Sequence, residues 1–493
     1  MKKSVFVPAL LVALLAPAHI YAEETLENPS FRELDELMTE MALEENIPPE
    51  IVKAVAYQES DLLQFVDGEP NIASDGGIGI MQVTDDRFDQ ERLQEDIAYN
   101  IESGITLLLE KKSWEGDQLP EINGAEWYDL ESWYFPVMAY NGLVHANSPI
   151  RRADESHNSD AYQERVFEHL SGMNTNLELA SLYDHLSLEN LDYRDNNRLA
   201  FTTDTVDIPY ESLTKSRYVF EEGQTMIVDQ TANFREDATP SSERIRQLPR
   251  GTVVTLESNY LFDRTANINE DDLNYSRMAP WFEVTDSSGN NGYLAGGTIS
   301  PLTPTLISLD EQPGDQPNLT DIDNHWAQNN ILNLVEAGVI SGYSDNTFRP
   351  NDQISRQEFA HLIRQLLDGI PEHIDTSWVF EDPEPAEWAK PSIMVNYHTG
   401  IIGGFPNHEF RAEESVTRAE IATIMERLMT LTDHTLPKGE PVRFKDELPE
   451  WAESSIMNMT AYGLVNGYDD ETFRPRSSAT RAEVASILYR FLQ

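Results

Sequence analysis

The sequence predicts a multidomain chain in three unlike parts: an α-helical module, a small β-barrel and a closing set of α-helical repeats. Three observations carry this. From Phe31 onward apolar residues recur at helical spacing. Between about residues 223 and 304 the period shortens to an alternating one. Beyond residue 318 the same short landmarks return three times in the same order.

Composition narrows the function before any motif is read. The chain has 493 residues, no cysteine, and a formal net charge of −51 from 86 acidic and 35 basic residues. Disulfides, thiolate metal sites and cysteine nucleophiles are therefore excluded. A chain this acidic is a poor partner for nucleic acid. Residues 1–22 read as a signal peptide: Lys2 and Lys3 precede an apolar run from Val5 to Leu15, and Ile20-Tyr21-Ala22 offers a cleavage site. That run is short and contains Pro8, so no membrane span is expected once the signal is removed, and the protein is expected to be secreted.

The first module is expected over residues 31–172. FRELDELMTEMALEENI forms an amphipathic helix, and Pro48-Pro49 starts a second one, since proline suits the first turn. Val52, Val55 and Glu59 share a stripe on that second helix. A lone glutamate at such a place more often reaches water than stays buried. If buried, it feels two effects that favour its protonated form: loss of solvation and the negative helix end. A carboxyl protonated near neutral pH is what a general acid requires. A glycine-rich loop follows from Ser74 to Thr84, then a helix containing Asn100, Ile101 and Gly104, then Ala139-Tyr140-Asn141.

Glu59-Ser60, Gly77-Ile78-Gly79-Ile80-Met81-Gln82, Asn100-Ile101 with Gly104, and Ala139-Tyr140-Asn141 stand in an order that resembles the lysozyme-like domain of soluble lytic transglycosylases and goose-type lysozymes. The resemblance implies that Glu59 is the catalytic acid of a peptidoglycan-cleaving enzyme. It further implies that Ser60, Ser74, Gly79, Met81, Gln82, Tyr140 and Asn141 contact substrate, with Tyr140 within hydrogen-bond reach of Glu59. The implied reaction cuts the MurNAc–GlcNAc β-1,4 bond and closes a 1,6-anhydro ring on MurNAc, a lyase-type cleavage without a protein nucleophile. Asp61 and Asp75 lie nearby, so a hydrolytic muramidase of the same fold stands as an alternative. A non-catalytic wall-binding scaffold is a third reading.

Residues 173–222 are polar and aperiodic and read as a linker or accessory segment. Residues 223–304 alternate and carry β-branched and aromatic residues. Asn233-Phe234-Arg235, Leu248 to Thr252, Trp281 and Gly292-Tyr293-Leu294 resemble a bacterial SH3-like domain, with an insertion between Tyr260 and Pro280. The domain is either a wall-binding module or a spacer whose Trp281 is core. A Pro- and Asp-rich linker occupies 305–318.

The repeats are expected at 319–370, 375–432 and 440–493. Trp326, Trp388 and Trp451 recur at spacings of 62 and 63 residues, as do Arg356, Arg418 and Arg481. Each arginine follows a Ser or Thr that opens a capping box with a glutamate three positions on. The box explains the Ser, Thr and Glu. The arginine stands at the first helical position, where the dipole disfavours a cation, which suggests that it holds an anion. Trp-Ala, Phe-Arg-Pro and Thr-Arg-Ala-Glu resemble S-layer homology (SLH) repeats. That resemblance implies a pseudo-threefold trimer of repeats binding an anionic, often pyruvylated, secondary cell-wall polymer on a Gram-positive-type envelope. Arg356, Arg418 and Arg481 would grip the acid group, and the tryptophans would pack beside the sugar or serve as core. Peptidoglycan glycan strands are the expected substrate. No cofactor and no metal are called for, and no histidine cluster argues for one.

Overall fold

The computed structural model describes residues 26–173, 177, 179–209, 212–263, 278–309, 319–372, 374–432, 434–439 and 442–493. The expected signal peptide, most of the Tyr260–Pro280 insertion and residues 310–318 lie outside these.

Six helices build the first module: α1 (Phe31–Glu44), α2 (Pro49–Ser60), α3 (Gln90–Glu95), α4 (Ile97–Lys112), α5 (Tyr134–Asn141) and α6 (Tyr162–Met173). Ser30 and Glu33 close a capping box on α1, and Asp96 caps α4 by accepting from Tyr99 N. Pro49 starts α2, which ends where Asp61 and Leu62 turn left-handed, at φ 54° and 65°. Helix α2 lies at the centre of the module, packed on α1 and α6, with Ile51, Val52 and Val55 fully buried.

The segment after α6 belongs to this same core. Leu177, Leu182, Leu191, Leu199, Val206 and Ile208 join its buried cluster. Leu191–Arg194 and Arg198–Phe201 pair as a hairpin whose turn residues Asn196 and Asn197 have φ 69° and 63°. Asparagine tolerates that region, and two consecutive positive φ values give the turn a twist that suits a hairpin. Further along, Ser216 Oγ and Arg217 N donate to the buried carboxylate of Glu50, each at 2.8 Å. On the same helix, fully buried Lys53 pairs with Asp35 at 2.5 Å and donates to Tyr218 Oη at 2.6 Å. Burial raises the Asp35 and Glu50 carboxyls above their usual range. The first module thus uses residues as far on as Tyr218 to brace the helix that carries Glu59.

Seven antiparallel strands follow: β1 (Thr225–Val228), β2 (Ala232–Arg235), β3 (Arg244–Leu248), β4 (Val253–Leu256), β5 (Trp281–Asp286), β6 (Asn291–Ala295) and β7 (Ile299–Pro301). They lie in the order β7-β1-β4-β5-β6-β2-β3. Phe234, Phe282, Val284 and Leu294 fill the core of this sheet, as alternation along the strands dictates. Trp281 is buried. Edge strand β3 carries a bulge at Ile245.

The repeats supply helix pairs α7 (Gln328–Glu336) with α8 (Arg356–Gln365), α9 (Lys390–His398) with α10 (Arg418–Leu431), and α11 (Glu453–Ala461) with α12 (Arg481–Phe491). Packing runs across repeats in a closed circuit: α8 on α9, α10 on α11, and α12 back on α7. Short bridges tie Gln353 to Thr480, Ser355 to Ser415 and Thr417 to Ser478. Ahead of each second helix, Asp321, Asp382 and Asp446 each accept the backbone N–H groups of a Phe-Arg pair at 2.6–2.9 Å. Those bonds hold Arg349, Arg411 and Arg474 at φ near 60°.

Candidate active site and repeat grooves

Glu59 lies in the last turn of α2, half-buried. One carboxyl oxygen accepts from Tyr162 Oη at 2.5 Å. Burial pushes the Glu59 pKa from 4.5 up to about 7; the Tyr162 hydroxyl draws it down, Asp75 raises it and Arg165 lowers it. Desolvation outweighs the favourable hydrogen bond, so the acid is largely protonated just below neutrality.

The glycine-rich loop is set by two fully buried amides. Asn100 accepts from Met81 N at 2.9 Å and donates to Ile78 O and Leu93 O, while Gln64 accepts from Ile80 N at 2.9 Å. Gly79 has φ +72°, and a Cβ there would lie 2.3 Å from Asn100 Nδ2. A side chain at Gly104 would meet that of Met81 at 2.7 Å. The Asn100…Gly104 spacing therefore serves α4 twice, tying the loop down and making room for it.

The other expected substrate residues are placed as follows. Tyr140 gives its single hydroxyl hydrogen to Met81 O at 2.7 Å, so the expected bond to Glu59 belongs to Tyr162 instead. Met81 is fully buried against Gly104 and does not line a groove with its side chain. Ser60 is also turned inward: its Oγ donates to Ile80 O at 2.7 Å, tying α2 to the loop. Gln82, at φ 48°, folds its amide back on Gly79 O. Ser74 and Asn141 are exposed, and Asn141 accepts from Asn147.

Sequence reasoning missed Tyr162, which stands about a hundred positions beyond Glu59 and in no short motif. The one signal for it is the amphipathic period of YQERVFEHL, which puts Tyr162 on the buried side of α6 with Val166 and Phe167.

In the repeats the motif arginines turn inward. Arg356 donates through Nε to Phe410 O at 2.9 Å and pairs with Glu420 at 2.7 Å. Arg418 reaches Phe473 O at 2.9 Å, Asn466 O at 2.5 Å and Glu483 at 3.8 Å. Arg481 reaches Phe348 O at 2.9 Å and Glu358 at 3.2 Å, returning to the first repeat. The glutamate of each box thus caps its own helix with one oxygen and takes the preceding repeat's arginine with the other. The three arginines thus form an internal lock between repeats, while Arg356 and Arg418 also stand on the walls of cavities. Trp326, Trp388 and Trp451 are 66%, 51% and 61% exposed, so they are not core. Cavities lie beside Trp326 and Trp451. One of about 300 Å³ is walled by Trp326, Arg418, Tyr468, Ser486 and Arg490. Another of about 260 Å³ is walled by Arg356, Phe405, Arg411, Glu420 and Trp451.

Comparison with known proteins agrees with this division. Residues 36–162 match the transglycosylase SLT domain, a span that contains Glu59, the loop, Asn100, Tyr140 and Tyr162. Residues 318–360, 382–422 and 443–485 match the S-layer homology domain. The chain is 34% identical over 164 residues to a cellulosome-anchoring protein of Acetivibrio thermocellus, covering 32% of this chain and 36% of that protein. It is 27% identical over 252 residues to Exoglucanase XynX of the same organism, covering 49% and 22%. It is 26% identical over 197 residues to an S-layer protein of Bacillus thuringiensis subsp. finitimus, covering 40% and 22%. The chain therefore spans only about a third or less of the length of each of these relatives. One chain thus carries a transglycosylase SLT domain followed by three S-layer homology domains.

Proposed function

We propose that this protein is a cell-wall-anchored peptidoglycan lytic transglycosylase. Glu59 protonates the glycosidic oxygen between MurNAc and GlcNAc as the C1–O bond breaks. The resulting carboxylate then takes the proton of the MurNAc C6 hydroxyl while O6 bonds to C1. The anhydro ring closes, water is not consumed, and Glu59 returns to its protonated state. The observation that carries the reading is the half-buried Glu59 carboxyl, near pKa 7 and held by Tyr162. Such a group can give and take a proton within one cycle at neutral pH. A hydrolytic muramidase is favoured by one observation, the charge of Asp75 acting on Glu59, which would suit a carboxylate that activates water.

The SLH repeats, arranged as a pseudo-threefold unit, hold the enzyme on an anionic secondary polymer of a Gram-positive-type wall. The exposed tryptophans beside the two cavities support this reading, as do the S-layer and cellulosome-anchoring relatives. The seven-stranded sheet is read as an SH3-like module between the two, and the protein as secreted and retained at the wall.

The deciding experiment is mass spectrometry of fragments released from purified peptidoglycan by wild type and by Glu59→Gln. Anhydro-MurNAc ends from wild type alone establish the transglycosylase. Reducing ends lost in the variant establish the muramidase. No release by either protein leaves a wall-binding scaffold.

A further inference from the structure

We propose that Arg165 is a further substrate-binding residue of the catalytic module, and that its guanidinium holds a carboxylate borne on the lactyl arm of the muramyl unit whose bond is cut. The inference rests on the peptidoglycan-cleaving reading of Glu59.

Helix α6 meets the end of α2 along one stripe. Tyr162 Oη donates to Glu59 at 2.5 Å, and seven residues on, His169 bonds the side chain of Gln58 at 2.9 Å. Arg165 stands between them, three positions after Tyr162 and four before His169, the spacings that share a helix face. It is therefore about 4.5 Å along the axis from Tyr162. Its charge acts on Glu59, on the Tyr162 hydroxyl and on His169 alike. The other groups that act on Glu59 are Tyr140 from α5 and Asp75 from the glycine-rich loop.

Arg165 is exposed, and among the described residues its guanidinium makes no hydrogen bond and no ion pair. By contrast, Arg32, Arg87, Arg92, Lys112 and Arg151 of the same module each pair with a carboxylate. Arg165 thus holds no part of the fold together. It also opposes the proton on Glu59, which burial keeps in place. A cation so placed weakens a general acid until an anion covers it. The chain has 86 acidic residues, yet none of the described ones pairs with it.

The substrate brings its own anion. MurNAc differs from GlcNAc by a lactyl ether on O3, and that arm carries a carboxyl group. The group is free in peptide-stripped strands; in intact wall it is amide-linked to a peptide with carboxylates of its own. The arm is a few bonds from C1, so side chains one helical turn apart can meet its acid and the oxygen that Glu59 protonates. A planar guanidinium takes a carboxylate through two parallel hydrogen bonds. Arg165 therefore sets MurNAc rather than GlcNAc against Glu59, and the bound anion removes the charge that opposes the acid's proton.

The test uses the full chain in the Glu59→Gln background, with and without Arg165→Gln, titrated by calorimetry with three glycans. These are peptide-stripped strands, the same strands with the lactyl carboxyl converted to its methylamide, and strands bearing stem peptides. Whatever the repeats bind is common to both proteins. Arg165→Gln should weaken binding of carboxylate-bearing strands by roughly 10- to 100-fold and leave the neutral methylamide strands unchanged. Retained affinity for the methylamide shows that the variant is folded. A loss confined to stripped strands identifies the lactyl carboxylate; a loss with peptide-bearing strands identifies a carboxylate of the peptide. No loss with either, or an equal loss with the methylamide, overturns the proposal. Cleavage of the same strands by wild type is read separately. Binding that depends on Arg165 without cleavage refutes the proposed reaction alone, whereas cleavage without any effect of Arg165 refutes this site alone.

Discussion

Replacing Glu59 by glutamine should make the catalytic module more stable at alkaline pH and leave it unchanged in acid. The side chain keeps its shape and can still accept from Tyr162, so the variant mimics the protonated acid at every pH. In wild type the folded carboxyl titrates near 7, above its usual 4.5. A folded pKa that is raised stabilises the protein only while the proton stays on. Below pH 4.5 both folded and unfolded forms are protonated, and the variant gains nothing. Between 4.5 and about 7 the unfolded chain releases its proton first, so wild type loses about 1.4 kcal/mol per pH unit relative to glutamine. Above 7 the difference levels off at about 3 kcal/mol. Urea unfolding between pH 4 and 8.5, followed through hydrogen exchange of α2, measures this for the first module alone. The same group should appear in the reaction, with kcat/KM of wild type falling as pH rises through about 7. A wild-type-minus-variant difference that is equal at pH 4 and pH 8 would refute the argument, because burial would then not be what sets the proton on Glu59.

Tyr162→Phe removes the donor that stabilises the Glu59 carboxylate, so the alkaline limb of the pH–rate profile should move up by about 1–2 pH units. Gly79→Ala forces a side chain onto Asn100 and Gln64 at a left-handed backbone position, and should cost several kcal/mol, about as much as a strained core insertion, read as a fall in Tm of the catalytic module. Lys53→Met leaves Asp35 buried without its cation and should destabilise by about 3–5 kcal/mol; adding Asp35→Leu should recover most of the loss in urea melts. Replacing Trp326, Trp388 and Trp451 together by alanine should leave the melting curve within about 1 kcal/mol of wild type, since all three are exposed, while abolishing sedimentation with walls.

Much of the site was legible because its signals are local. Two prolines fix where α2 begins, and counting from Val52 and Val55 puts Glu59 on their stripe. The glycines of the loop announce a backbone that only glycine can follow. What escaped depends on residues distant in sequence. Glu59 and Tyr162 meet only because α2 packs on α6, and the choice between Tyr140 and Tyr162 is made by a carbonyl, Met81 O, that no motif displays. The motif puts Met81 in the loop, but its burial depends on the space left by Gly104 on α4. The segment from Leu177 to Tyr218 hides its role because its leucines follow turns and a hairpin rather than one period. Each repeat arginine stands at the N-terminus of its own helix, where the dipole opposes it. Their charge is compensated by a glutamate in the next repeat, which single-helix reasoning does not reach.

That lock limits how many repeats such an assembly can contain. In an open solenoid each unit leans on its neighbour, and copies can be added or lost at the ends. Here the third arginine returns to the first glutamate, so there is no end at which to add. A chain cut to two repeats would strand an arginine on one face and a glutamate on another, each removed from water and each without its counter-ion. A fourth copy could enter only by widening the circuit and breaking every contact that closes it. In this chain the three units therefore depend on one another as a single closed set.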